Sequence, residues 1–333
     1  MRLRIAILSL LVILFFFLNL FCGSVHIAPA DVLHALTHMG DTADSISYII
    51  VASRLPSAIT ATLAGASLAT SGLLLQTSFH NPLAGPSILG ISSGANLGVA
   101  IVMLSFAGGA ATGFYTWGGS FTIVGAAFLG SILIMALLLV FSTLLKDNLM
   151  LLITGIMMGY ITSSVISLLN FLASADNIQS FILWGMGNFS SVSLQQLPIF
   201  ASLCIVGLIL SLLLTKPLNA ILLGDNYAAN LGINLRRTRN LLLLATGLLT
   251  AVTTAYCGPV AFIGLATPHI AFLLLGTSNH RYLLPVTMLA GSLIALLCNI
   301  LCTLPSATII PLNAITPVIG APVIIYIIVC RKS

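Results

Sequence analysis

The residues best equipped for chemistry in this chain are one serine set between glycines and a few histidines. Gly90-Ile91-Ser92-Ser93-Gly94 matches the G-x-S-x-G pattern of a hydrolase nucleophile elbow. Such a serine needs a strand-turn-helix setting and an acid and a histidine to activate it. Ser92 instead lies in an apolar run with no acid nearby, so it is assigned no catalytic role. Read together with Gly98, the same glycines form a stripe at four-residue spacing, Gly90, Gly94 and Gly98, on which another helix backbone can pack closely. His34 and His38 have the spacing of a two-histidine metal pair on a helix, but no third ligand stands at useful spacing, and a solvated face is the simpler reading. His269, in ATPHIAF, reads as a hydrogen-bonded or interface histidine. No catalytic residue, metal site or cofactor of its own is expected.

The elements that must carry these residues follow from composition. The chain has 333 residues, of which 59% are hydrophobic and 5% charged. A soluble domain of this length needs far more charge to cover its surface, whereas lipid asks for an apolar one. The six cysteines (Cys22, Cys204, Cys257, Cys298, Cys302, Cys330) lie in or at the ends of apolar runs with no C-x-x-C pair, and read as small hydrophobes. The net charge of +5 sits in short clusters at the ends of apolar runs, which orients a membrane protein and offers no nucleic-acid surface.

A helix needs about 20 apolar residues to cross a bilayer core. Candidate spans are 5–22, 57–78, 86–106, 119–145, 149–172, 193–214, 239–256, 259–276, 282–304 and 313–330. The first is read as a retained span, since its run is longer than a signal peptide's and no A-x-A site follows it. With ten spans, ten of the eleven basic residues (Arg2, Arg4, Lys146, Lys216, Arg236, Arg237, Arg239, Arg281, Arg331, Lys332) fall on one side and only Arg54 opposite. The positive-inside rule then puts both termini in the cytoplasm. The expected fold is an all-α, polytopic membrane domain over 1–333, with extracytoplasmic loops at about 23–56 and 173–192 and a cytoplasmic segment at about 216–237.

No Asp, Glu, Lys or Arg falls in the middle of a span, which removes the usual means of ion coupling. Nor is any lysine preceded by glycine as a Walker A loop requires, so energy for active transport must enter from a partner. The segment LNAILLGDNYAANLGINLRR, 218–237, suggests where. Residues 218–223 can form one short helix, and Asp225 can cap a second over 226–231 that ends at Gly232, a natural left-handed position. Such small helices suit docking of a soluble protein, or else lie on anionic lipid. Upstream, HNPLAGP (80–86) reads as a tight turn leading into a helix that Pro86 can begin. Gly and Pro around Trp184-Gly185-Met186-Gly187-Asn188 and in PLNAITPVIGAP (311–322) suggest broken helices, which are tolerated only where backbone is buried in protein or lines a cavity.

In order along the chain, these motifs resemble the FecCD family, permeases of type II ABC importers for iron-siderophores, haem and vitamin B12. The resemblance rests on RLP at 54–56, AGASLATSGLLLQTSFHNPLAGPSILGISSGANLG at 64–98, LWGMG at 183–187, LNAILLGDNYAANLGIN at 218–234, GPVAFIGLATPHIAF at 258–272, HRYLLP at 280–285 and PLNAITPVIGAPVIIYII at 311–328. It implies ten helices in the bacterial inner membrane, a second permease subunit forming a homodimer or close heterodimer, two cytoplasmic ATPases that bind ATP and Mg, and an extracytoplasmic binding protein. It further implies that Leu218, Leu222, Gly224, Asp225, Ala228, Leu231 and Gly232 belong to ATPase-coupling helices, and that Asn81, Pro82 and Leu83 close the cytoplasmic end of the pathway. By the same resemblance Trp184, Gly185 and Gly187 lie near the outer gate, and Arg54 faces acidic residues of the binding protein. Two positions often basic in the family are Ser57 and Thr303 here, which leaves the docking patch poorer in charge. The expected cargo is an iron chelate, with a corrinoid or haem as alternatives. A secondary transporter, or an intramembrane enzyme using Ser92 or His269, is the competing reading from a different class.

Overall fold

The computed structural model describes residues 2–23, 25, 27–37, 45–105, 117–145, 148–304 and 310–330, and these are helical with no strand among them. Helix α1 (Arg2–Phe21) is followed by α2 (Pro29–Thr37), α3 (Ser45–Tyr48) and a π-helical turn, Ile49–Arg54, that runs directly into α4 (Leu55–Ser78). Next come α5 (Ile91–Ser105), α6 (Trp117–Leu144), α7 (Asn148–Leu172), the short α8 (Ala175–Gly185) and α9 (Leu197–Leu213). Two small helices, α10 (Thr215–Ile221) and α11 (Asp225–Asn230), precede α12 (Leu235–Cys257), α13 (Ile263–Leu275), α14 (His280–Thr303) and α15 (Leu312–Cys330).

Six described helices are long and apolar enough to cross a membrane, and α9 with α10 makes a seventh candidate bent by 50°. The apolar stretches in α5, α13 and α15 are shorter. At 13 residues, α13 reaches only about 20 Å against a hydrocarbon core of about 30 Å, so it cannot cross alone. Non-helical stretches, 79–90 and 258–262, directly precede α5 and α13.

This corrects two expected spans. The run 86–106 is helical only from Ile91, and 259–276 only from Ile263. Hydropathy counts Ile88, Leu89, Val260 and Phe262 as span residues, but Gly90 at φ 76 and Phe262 at φ 66 hold backbone that no right-handed helix contains. Pro86 accordingly does not begin a helix. Gly90 is the last residue before α5, and its carbonyl accepts the first helical bond, from the amide of Gly94 at 2.8 Å. The segment 173–192, expected as a loop, contains α8 and a 3-10 turn at Phe189–Ser191.

Helices α4, α12 and α14 are mostly buried, whereas few residues of α1, α6 and α7 are. The central helices meet through small residues. A Cβ on Gly65 would overlap the Gly291 carbonyl of α14, and one on Gly72 the Gly264 carbonyl of α13. The glycine stripe divides accordingly: Gly94 and Gly98 abut Gly130 and Ala126 of α6, while Gly90 abuts Gly155 of α7. It therefore serves two partners.

Arginines close the ends of other helices, whose last carbonyls have no partner within their own helix. Arg4 Nη1 donates to Leu274 O of α13 at 2.6 Å. Arg239 Nη2 donates to Ser142 O and Leu145 O, and Arg236 Nη2 to Thr143 O, all at the end of α6. Arg54, 8% exposed, donates Nη1 to Leu20 O and Phe21 O at the end of α1, and Nη2 to Val25 O. Arg54 is thus turned inward, against the expectation of an outward docking charge. The carbonyls that α1 leaves unpaired outcompete solvent for a guanidinium already inside the fold.

Candidate functional site

The polar features gather at the two ends of the bundle. At one end α10 and α11 sit beneath the last turn of α4. Leu218 and Ala228 are fully buried, with Ile221 and Leu74 in the same cluster, and fasten the two small helices to the body. Gly224, at φ 105, makes the elbow between them, and Gly232, at φ 81, ends α11. Asp225 is the first residue of α11, one position later than a cap, because Gly224 takes the cap position without a side chain. Leu222, Leu223, Tyr227 and Leu231 remain exposed, an apolar patch on an otherwise polar segment. Asp225, Arg236 and Arg239 line a cavity of about 320 Å³ beside it.

The turn at 80–90 lies against α10. Asn81 Oδ1 accepts from Leu83 N at 2.9 Å, which closes an Asx turn around Pro82. Leu83 is exposed at its tip, while Phe79, Ala84 and Leu89 pack against α6 and α7. His80 Nε2 donates to Ile221 O of α10 at 3.0 Å, and His269 Nε2 of α13 donates to Pro82 O at 2.8 Å. Carbonyls only accept, so both imidazoles carry their proton on Nε2. His280 is used differently: its Nδ1 donates to Asn219 Oδ1 of α10 at 3.1 Å, and its Nε2 accepts from the Thr77 hydroxyl of α4 at 2.9 Å.

At the opposite end the segment Trp184–Asn188 is held by one amide. Asn313, near the start of α15, donates Nδ2 to Gly185 O at 3.1 Å and to Pro259 O at 2.6 Å, and accepts from Ala261 N at 3.1 Å. Its backbone N donates to Met186 O, and Asn188 N to Cys257 O. Trp184 stacks on Phe181 with ring centroids 6.3 Å apart. Gly187 takes φ 75 against Pro259, and a Cβ on Gly258 would crowd the Trp184 carbonyl. Three non-helical stretches therefore satisfy one another's backbone, as apolar surroundings require.

Ser57 is buried, sharing hydrogen bonds with Ser190 and Asn299, and Asn299 donates to Asn19 of α1 at 2.8 Å. Thr303 Oγ1 turns back to Asn299 O. The Ser92 hydroxyl meets the Thr254 hydroxyl at 3.4 Å. His38 lies outside the described residues, as do Lys146, Arg331 and Lys332. Among the described residues no three His, Cys, Asp or Glu side chains form a group fit for a metal. The sequence reading passed over Asn313, His80, Asn219 and His280. Their one visible signal is a polar side chain within four residues of a glycine or proline.

Apolar helices long enough to cross a bilayer, with shorter ones broken where the backbone is bonded within the protein, are those of a multi-pass membrane protein. The pattern of the FecCD transport family matches residues 10–330. The vitamin B12 import system permease protein BtuC of Salmonella typhi is 35% identical over 325 residues, covering 96% of this chain and 93% of its own length. Its counterpart in Salmonella paratyphi A is 34% identical over 322 residues, with the same coverage of 96% and 93%. A solved structure described as an inward-facing conformation of a metal-chelate type ABC transporter superposes with a TM-score of 0.85 at 28% identity over the whole of both chains. The chain belongs to the FecCD transport family, and is an ABC importer permease, a transport subunit that works with an ATPase and a binding protein.

Proposed function

We propose that this permease crosses the bacterial inner membrane ten times with both termini in the cytoplasm, and that ATP-driven motion of a partner acts on it through α10 and α11. Side-chain bonds between helix ends support the alternation. Arg4 joins the start of α1 to the end of α13, Arg54 the start of α4 to the end of α1, and Arg236 the start of α12 to the end of α6. Each pair of ends then lies on one side, as alternating crossings demand. The end bearing α10, α11 and most basic residues is the cytoplasmic one.

The observation that carries the coupling role is the exposed patch of Leu222, Leu223, Tyr227 and Leu231 on two helices fastened to the body by buried Leu218, Ile221 and Ala228. It fits the groove of a soluble ATPase. The turn carrying Asn81, Pro82 and Leu83 is the cytoplasmic gate, and the loops tied by Asn313 form the outer one. A homodimer encloses the pathway, and the cargo is a bulky metal chelate. The B12 permease relatives favour a corrinoid and the metal-chelate structure is equally in keeping with an iron-siderophore, so both are carried as cargo. The chelator itself holds the cargo's ion, and in this reading affinity for the cargo belongs to the binding protein.

The test is retention of the ATPase by the solubilised complex. Tyr227→Asp with Leu231→Asp abolishes retention if the patch is the docking site, and full retention removes this reading. Uptake of radiolabelled cyanocobalamin against a ferric siderophore separates the two cargoes.

A further inference from the structure

The turn at 80–90 is held from two sides by imidazoles, and the two attachments differ in kind. On one side, α10, the start of α14 and the end of α4 form a single hydrogen-bonded block: Asn219 accepts from the backbone N of His280, at 2.8 Å, as well as from its ring, and His280 accepts from Thr77. His80 joins this block through Ile221 O, a carbonyl at the end of α10. His80 also sits in the left-handed region, at φ 47, a conformation uncommon outside glycine. That geometry is what lets its ring reach α10 just after α4 has ended. On the other side the side-chain bond from His269 reaches Pro82 O from α13, a different helix.

Between the attachments lies a cavity of about 490 Å³, lined by His80, Pro82, Leu222 and His269. Packed interiors resist gradual deformation, so an element that moves needs such room beside it.

We infer that His80 and His269 are positioning residues of the gate: His80 makes the turn that carries Asn81 and Leu83 travel with α10, and His269 latches that turn to α13 while α10 is at rest. This rests on the reading of α10 and α11 as the ATPase contact and of the turn as the gate. Tilting of α10 carries His80 and the turn with it and draws Pro82 away from His269 into the cavity. No covalent step is involved.

The experiment uses the complete transporter in proteoliposomes, measuring ATP hydrolysis and cargo uptake side by side. His80→Ala removes the link to α10, so ATP turnover continues while uptake falls by about tenfold or more, in line with losing a bond that moves one element with another. His80→Gln, which keeps an N–H donor at similar reach, restores uptake. Parallel loss of both activities in His80→Ala, unchanged uptake, or failure of glutamine to rescue overturns the inference. A second measurement is independent of how well that variant folds. Cysteines placed by Pro82→Cys and His269→Cys are bridged with a short bifunctional thiol reagent, which stops uptake until a reductant frees it. Normal uptake with the bridge in place overturns the latch. If the unaltered protein retains no ATPase, the docking reading itself has failed and the inference falls with it. If the unaltered protein couples normally, the variants test His80 and His269 alone.

Discussion

Arg54 and Leu20, 34 residues apart in sequence, share a buried hydrogen bond of 2.8 Å, from Nη1 of the arginine to the carbonyl that α1 leaves unpaired. Phe21 O and Val25 O take the guanidinium's other donors. Arg54→Gln therefore strands several carbonyls and is expected to destabilise the protein by about 2–3 kcal/mol. Thermal unfolding in detergent reads this, and affinity for the binding protein should be nearly unchanged in the folded fraction. A normal melting temperature with lost affinity would return Arg54 to the docking surface.

The contact of Gly72 with the Gly264 carbonyl leaves no room for a side chain. Gly72→Leu forces α4 and α13 apart and should cost about 1–3 kcal/mol or more. Gly125 in α6 is the contrast, because nothing lies within 4 Å of where its Cβ would stand. Gly125→Ala should stabilise by about 0.5–1 kcal/mol, as alanine does in a helix interior. Melting temperatures of the two variants must move in opposite directions.

Gly224 turns the chain between α10 and α11 at φ 105 with nothing within 4 Å of its Cβ position, so backbone strain alone governs substitution there. Gly224→Val strains that elbow by about 1–3 kcal/mol. Re-aiming α11 in this way should separate ATP turnover from uptake, and a variant with both intact speaks against a coupling role.

Asn313 satisfies three backbone groups with one amide. Asn313→Leu removes all three bonds and is expected to cost about 3 kcal/mol. Cys257, buried beside this junction, reports it locally: mass spectrometry should find a permeant maleimide on Cys257 in the variant and not in the parent. Equal labelling means the junction holds without the amide.

Ser92→Ala loses one long contact to Thr254 and should cost under about 1 kcal/mol. Uptake per folded transporter is expected to stay at the parent level. Its abolition would reopen a chemical role for the serine.

Length and hydropathy located α1, α4, α6, α7 and α14 to within a few residues, since a helix in lipid must be long, apolar and satisfied within itself. The same logic misplaced the start of α5 and α13, because a hydropathy window treats Leu89 and Phe262 alike whether or not their dihedrals are helical. Gly90 and the Gly258-Pro259 pair mark those breaks in the sequence, and only tertiary contacts decide how far each extends. Charge sets the orientation expected of the chain. Its second use, closing the ends of distant helices, was not legible, because Arg54 and Leu20 meet only when α1 and α4 have packed. Pairing of Gly65 with Gly291 and the reach of Asn313 are hidden for the same reason: neither partner is near in sequence.

The bonds described above at the turn 80–90 and at the junction of Trp184–Asn188 come from the side chains of Thr77, His80, Asn81, Asn219, His269, His280 and Asn313, and none of these is Asp, Glu, Lys or Arg. A membrane potential of 100 mV does about 2.3 kcal/mol of work on each elementary charge carried across it. If the gate of the proposed function is fastened by these hydroxyls, amides and imidazoles, that field finds no formal charge among them to pull on. On that reading the opening of the gate is expected not to respond to membrane potential.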